Sequence, residues 1–203
     1  MGSVIMSCGG AAAGLITGMA FSAQEIVEKR LANGAISTLL ALIARDVEGR
    51  TFRQMVTPGQ PALTMIADPV AGFLYMLTAD MIALRSLLPS GGPLPMPSLP
   101  GLAPPGAGMS LQPPPSPLQL GERMIEGFLA RGTRSITPLP AGQMIIESWC
   151  AKALGAVIES SHSDPRSGDI VTRLKGVQQT HPPGHLFQVP PNYRVVDSPR
   201  HAR

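Results

Sequence analysis

Hydrophobic and polar positions are unevenly distributed from the first residue onward. Twenty-four uncharged residues precede the first charged side chain, Glu25. Within them Gly10, Gly14, Gly18 and Ser22 stand four apart, and positions i and i+4 share a helix face. The spacing predicts an apolar helix over residues 3–21 whose small residues form a groove that a second helix could approach closely, as G-x-x-x-G sequences permit. Ser22-Ala-Gln-Glu25 has the form of a capping box. A second helix is therefore expected from Ala23, and the groove reduces to Gly10, Gly14 and Gly18. From Ala35, Ile36, Leu39, Leu40, Leu42, Ile43 and Val47 keep a helical period that Gly49 ends.

The next segment carries the clearest boundary signals. Asp68 is a candidate N-cap and Pro69 the favoured first helical residue. Val70, Phe73, Leu74, Leu77, Met81, Leu84 and Leu88 follow at 3–4 spacing until Pro89. A helix over 69–88 would be roughly 30 Å long, enough to cross a bilayer. A central Asp80 would cost a few kcal/mol there, which favours a protein core. Residues 89–117 then hold eleven prolines. They favour an extended, polyproline-like connector, and the interleaved Leu94, Met96, Leu99, Leu102 and Leu111 suggest that it lies against a surface.

Beyond the connector, Met124, Ile125, Phe128 and Leu129 predict a short amphipathic helix over 120–130. Ile146, Cys150, Leu154 and Val157 predict another over 144–160. Past Ser161 the helical period disappears, and six prolines keep the tail extended. Within it Ile170-Val171, Leu186-Phe187-Gln188-Val189 and Tyr193-Arg194-Val195-Val196 have the composition of short strands or docking segments. The fold class expected is mainly α. An apolar helical module (1–88) and a short helical module (120–160) are joined by a Pro-rich extended linker (89–119), and an irregular basic C-terminal tail (161–203) follows.

Composition sharpens the picture. Of 203 residues, 44% are apolar, 4% aromatic and only 14% charged, well below the roughly 25% charged residues of an average domain. Such a chain is expected to bury much of its surface in a partner, an assembly or a bilayer. Residues 1–159 carry ten Lys/Arg and ten Asp/Glu, so the net charge of +3 arises in the tail. Cys8 and Cys150 lie far apart in apolar contexts and read as two small buried hydrophobes rather than a disulfide framework. Only seven residues precede Cys8 and none is basic, which does not fit a cleavable signal peptide.

The search for chemistry yields little. His181-Pro-Pro-Gly-His185 is the best-looking metal pair, but zinc needs three or four ligands, and His162 or Cys150 would have to come from elsewhere. Ser160, Ser161, His162, Ser163 and Asp164 adjoin one another in a polar stretch without a G-x-S-x-G motif. Glycine-rich residues 9–14 lack the strand and Lys-Ser/Thr pair of a phosphate loop. Neither a catalytic constellation nor a cofactor is expected. Arg166, Arg173, Lys175, Arg194, Arg200 and Arg203 could contact phosphates, but acids interrupt them, which favours a protein neighbour or lipid headgroups over nucleic acid. The leading expectation is a non-enzymatic structural subunit of a larger assembly, membrane-associated or virion-like, bound to other protein subunits through its helices and arms. The alternatives are a phage lysis or ejection factor that oligomerises through the Gly10/Gly14/Gly18 helix, and a small metal protein built on the tail histidines.

Overall fold

A computed structural model describes residues 8, 16–31, 34–88 and 117–198. Within them the chain forms strands: β1 (Phe21–Arg30), β2 (Ile36–Arg45), β3 (Thr51–Val56), β4 (Leu63–Asp68), β5 (Phe73–Leu77), β6 (Ile82–Leu87), β7 (Leu118–Ile125), β8 (Phe128–Leu139), β9 (Gly142–Ala151), β10 (Ala156–Asp164), β11 (Gly168–Gln178) and β12 (Arg194–Asp197). A 3-10 turn, Gly184–Phe187, precedes β12. All twelve strands join one sheet in the order β12-β6-β5-β4-β3-β2-β1-β11-β10-β9-β8-β7. Two antiparallel meanders, β1–β6 and β7–β11, are fused by the antiparallel pairing of β1 with β11. Only β12 pairs in parallel, along β6. Residues on either side of the proline-rich connector therefore share one sheet rather than forming two modules.

The mainly α expectation is overturned. The segment from Ala23 is β1, the Ile36–Val47 run is β2, and the 69–88 helix is the β5–β6 hairpin. The 120–130 helix is the β7–β8 hairpin, and the 144–160 helix is β9 turning into β10. The physical reason is legible in β2. Ala41 and Ile43 are buried while Leu40 and Leu42, beside and between them, are 40% and 50% exposed, so apolar side chains occupy both faces and the sequence lacks the polar alternation that marks a half-buried strand. Its apolar run then satisfies a helical template by density alone. Along 70–88 the 3–4 spacing comes from two strands joined by a tight turn at 78–81. Asp68 does cap, but it caps a turn: its Oδ1 accepts the N–H of Val70 and of Ala71, each at 2.9 Å.

The core divides along the sheet. Phe21, Ala23, Ile43, Ala130, Ala151, Leu154, Ala156, Ile158 and Leu174 form one buried cluster, with Ile125, Phe128 and Trp149 packed against it. In the first meander Ala44, Phe52, Ile66, Leu77 and Ala83 form a second cluster, closed by Phe187 from the 3-10 turn and flanked by Leu186, Val189 and Tyr193. The C-terminal segment is thus a cover over the first meander. Bulges at Ser22/Gln24 and Val157/Glu159 bend the strands. The sheet curls enough for the β7–β8 turn to reach β11, where Glu126 accepts hydrogen bonds from Lys175 Nζ and the Gly176 N–H, each at 3.0 Å.

A disulfide ties Cys8 to the second meander. Cys8 and Cys150 form a disulfide with a Cα–Cα distance of 5.4 Å, which corrects their reading as separate thiols. Arg45 is buried and its guanidinium donates to the carbonyls of Met19 and Leu154. Its charge lies 5.0 Å from the centre of the Phe21 ring. Burial lowers the Arg45 pKa to about 10.

Candidate functional site

The corner formed by β7, β8 and β9 combines an open backbone edge with an aromatic platform. In register, Gly121 on β7 faces Gly132 on β8, which faces Trp149 on β9. The Trp149 ring lies directly over Gly132. A Cβ there would stand 2.7 Å from ring carbons, so only glycine admits the indole. At Gly121 a Cβ would meet nothing within 4 Å, which leaves a gap on the same face beside the ring. Arg123 lies over the other side of the platform, its guanidinium carbon 3.8 Å from the Trp149 ring centre.

Ion pairs brace this face. Arg123 reaches Glu159 on β10 at 2.5 Å, Glu159 contacts Arg173 on β11 at 3.6 Å, and Arg173 contacts Glu28 on β1 at 2.7 Å. Arg134 and Glu147, opposite each other on β8 and β9, pair at 2.6 Å. Single exposed pairs are worth about 0–1 kcal/mol, but linked ones fix the orientation of the groups they join. Here they hold Arg123 over Trp149 and the folded-over edge against β10. Lys175 and the Gly176 N–H hold the Glu126 carboxyl below its ordinary range.

The outer boundary of the corner is β7 itself. β8 flanks it on one side, and among the described residues no strand flanks the other. Leu118 and Met124 are 59% and 64% exposed along it. The opposite edge, β12, is only four residues long.

The residues singled out by sequence scatter. Gly18 sits in a turn at φ +76°, its N–H donating to Val47 O at 2.7 Å, so it lines no helical groove. Gly10 and Gly14 lie outside the described residues, as do Arg200 and Arg203. Arg166 pairs with Asp164, Arg173 with Glu28 and Glu159, and Lys175 with Glu126. Arg194 opens β12, its N–H donating to Met81 O at 2.9 Å. His181 and His185 flank the start of the 3-10 turn. Cys150 is oxidised, and no group of three metal-binding side chains occurs among the described residues. No helix among the described residues is long and apolar enough to cross a membrane. Trp149 is the single tryptophan of the chain, but the platform is not legible in the sequence, because cross-strand register is what places Gly132 beneath it.

The fold is a large, curled, mostly antiparallel sheet whose two edges, β7 and β12, no further strand flanks among the described residues, a class seen in solved structures. The chain is similar to MucB as solved in the Pseudomonas aeruginosa MucA/MucB complex, at 12% identity and a TM-score of 0.51, over 90% of this chain and 59% of that one. It is also similar to MucB solved in a crystal structure of its own, at 14% identity and a TM-score of 0.50, over 90% of this chain and 61% of that one. The chain thus spans about three fifths of the length of these MucB chains. The likeness is one of fold, and it overturns the expectation of a helical virion-like or lysis subunit. No protein-family model matches the sequence, and no curated protein matches it.

Proposed function

We propose that this protein is a non-enzymatic binding protein of an oxidising, extracytoplasmic compartment, and that its sheet holds a partner polypeptide. The observation that carries the reading is the sheet architecture it shares with MucB, a protein solved in complex with MucA. Two features of the chain support it. The Cys8–Cys150 disulfide suits an oxidising compartment, since cytosolic thiols are kept reduced. The ionisable groups of the candidate corner are spent on one another in bracing pairs, an arrangement suited to a fixed recognition surface.

The test is cross-linking in intact cells that produce the protein, followed by mass spectrometry with and without reductant. The expected result is a discrete cross-linked species containing a second polypeptide, with Cys8 and Cys150 recovered as one linked peptide pair. Recovery of the chain only as a monomer with both thiols free would overturn the reading.

A further inference from the structure

We propose that β7 is a strand-addition site: an extended polypeptide pairs, as an added strand, with the edge that no strand flanks among the described residues and places an apolar or aromatic side chain over Gly121, beside Trp149. The proposal rests on the polypeptide-binding reading above and assigns it a location and a mode.

The hairpin geometry says which backbone groups are on offer. β7 and β8 are joined by the two-residue turn Glu126-Gly127, with φ 50° and 82°, both positive as a type I′ turn requires. In such a hairpin the closing pair, Ile125 and Phe128, exchanges both of its hydrogen bonds. Hydrogen-bonded pairs then alternate along an antiparallel ladder. Arg123 with Ala130 and Gly121 with Gly132 therefore bond inward to β8. The N–H and C=O of Glu122 and of Met124 point outward, and both residues are exposed. Two residues thus present two donors and two acceptors, spaced for one more strand. The bulge between Gln119 and Gly121 confines regular pairing to the five residues from Gly121 to Ile125.

The side-chain chemistry follows from the same register. On an added strand, residues opposite Gly121 and Arg123 occupy non-hydrogen-bonded positions, where side chains approach most closely. They project on the Trp149 face. The Gly121 gap accepts a bulky side chain there, since nothing lies within 4 Å of its virtual Cβ, and the Trp149 ring supplies an apolar wall. Exposed edges are usually blunted by charges and bulges. This one retains exposed Leu118 and Met124 at its two ends. Strand addition is a recurrent way to bind a polypeptide whose backbone gives affinity and whose alternate side chains give specificity.

The probe is a capped peptide, Thr-Val-Thr-Phe-Thr-Val-Thr with lysines at both ends, titrated into the full chain. Trp149 is the single tryptophan, so its fluorescence reports directly on the corner. The expected result is a saturable change in emission that is lost when alternate peptide nitrogens are methylated, and at least a tenfold weaker affinity for Met124→Pro and Glu122→Pro. Each proline removes an outward donor while leaving the β8 ladder intact, and thermal melting confirms that the variants fold. No saturable change at millimolar peptide, or equal binding by the methylated peptide, would overturn the proposal. If the cellular cross-linked complex forms and survives Met124→Pro, strand addition fails while the polypeptide-binding reading stands. If no complex forms, the reading itself fails.

Discussion

Glu25 on β1 and Arg53 on β3 meet across the intervening strand β2: Arg53 Nε and Nη2 both donate to Glu25 Oε2, at 2.9 and 2.5 Å. Both side chains are buried. The residue opposite Glu25 on β2 is Ala41, whose methyl is small enough for the guanidinium to cross above it. Arg53 Nη1 also approaches Met55 Sδ at 3.3 Å, so the cation is hemmed in by the sheet. Breaking such a pair leaves a buried charge uncompensated, at a cost of about 3–5 kcal/mol. Arg53→Met should lower stability by that order in urea denaturation, and Glu25→Leu combined with Arg53→Met should recover most of the loss. If the single variant loses less than the double, the pair is not what holds β1 to β3.

The cover over the first meander makes a second prediction. Phe187 is the side chain of the C-terminal segment that is buried in the Phe52–Ile66–Leu77–Ala83 cluster, with Leu186, Val189 and Tyr193 only partly buried against it. Phe187→Ala should cost about 3–5 kcal/mol, the usual range for emptying a buried aromatic site. Hydrogen exchange should quicken in β3–β6 while β9–β11 remain protected. Uniform loss of protection would mean that the two clusters unfold as one unit.

The sequence held more of the local chemistry than of the fold. Asp68 was legible as a capping side chain because an Asp beside Pro69 accepts nearby N–H groups whatever follows, and it does so here in a turn. Glu25 was legible as the first charge but was read as half of a capping box. Only the pairing of β1, β2 and β3 brings Arg53 to it. The short-strand composition of Ile170-Val171 and Arg194–Val196 agrees with their places in β11 and β12, whereas Leu186–Phe187 ends a 3-10 turn and Leu186–Val189 forms no strand. Helical readings of β2 and of β5–β6 failed because apolar side chains also stand at exposed positions, Leu40, Leu42 and Leu87 among them, so these runs carry no period-2 signal. The candidate corner was illegible for a related reason: Gly121, Gly132 and Trp149 meet through register across three strands, and register is set by the whole sheet.

Acid should loosen one rim of the sheet. The Arg166 guanidinium and then the Arg166 N–H stabilise the Asp164 carboxylate, lowering its pKa from 3.8 to about 2. The unfolded chain therefore takes up this proton before the native state does. Its stabilising contribution is complete above the ordinary aspartate range and disappears as pH falls toward 2. Arg166→Ala should move the Asp164 carboxyl back toward 3.8 in an NMR titration. It should also remove part of the stability change between those two pH values. A titration unmoved by Arg166→Ala would show that the Asp164–Arg166 contacts do not form in solution.

Gly132 separates the structural from the recognition role of the Trp149 platform. A Cβ at position 132 would stand 2.7 Å from the indole, and backbone on either side leaves the ring as the part that must move. Gly132→Ala should therefore cost about 1–3 kcal/mol, the range for overpacking. It should also shift Trp149 emission to longer wavelength as the displaced ring gains solvent. Arg123, which lies 3.8 Å from the ring centre, should lose that contact, and its pairing with Glu159 should weaken with it. Gly121→Ala is the matched control: its Cβ enters open space, though at φ +85° the backbone is strained for any L side chain. It should leave the emission of the free protein unchanged. A red shift in Gly121→Ala, or none in Gly132→Ala, would contradict the stacking of Trp149 on Gly132 from which the corner is built.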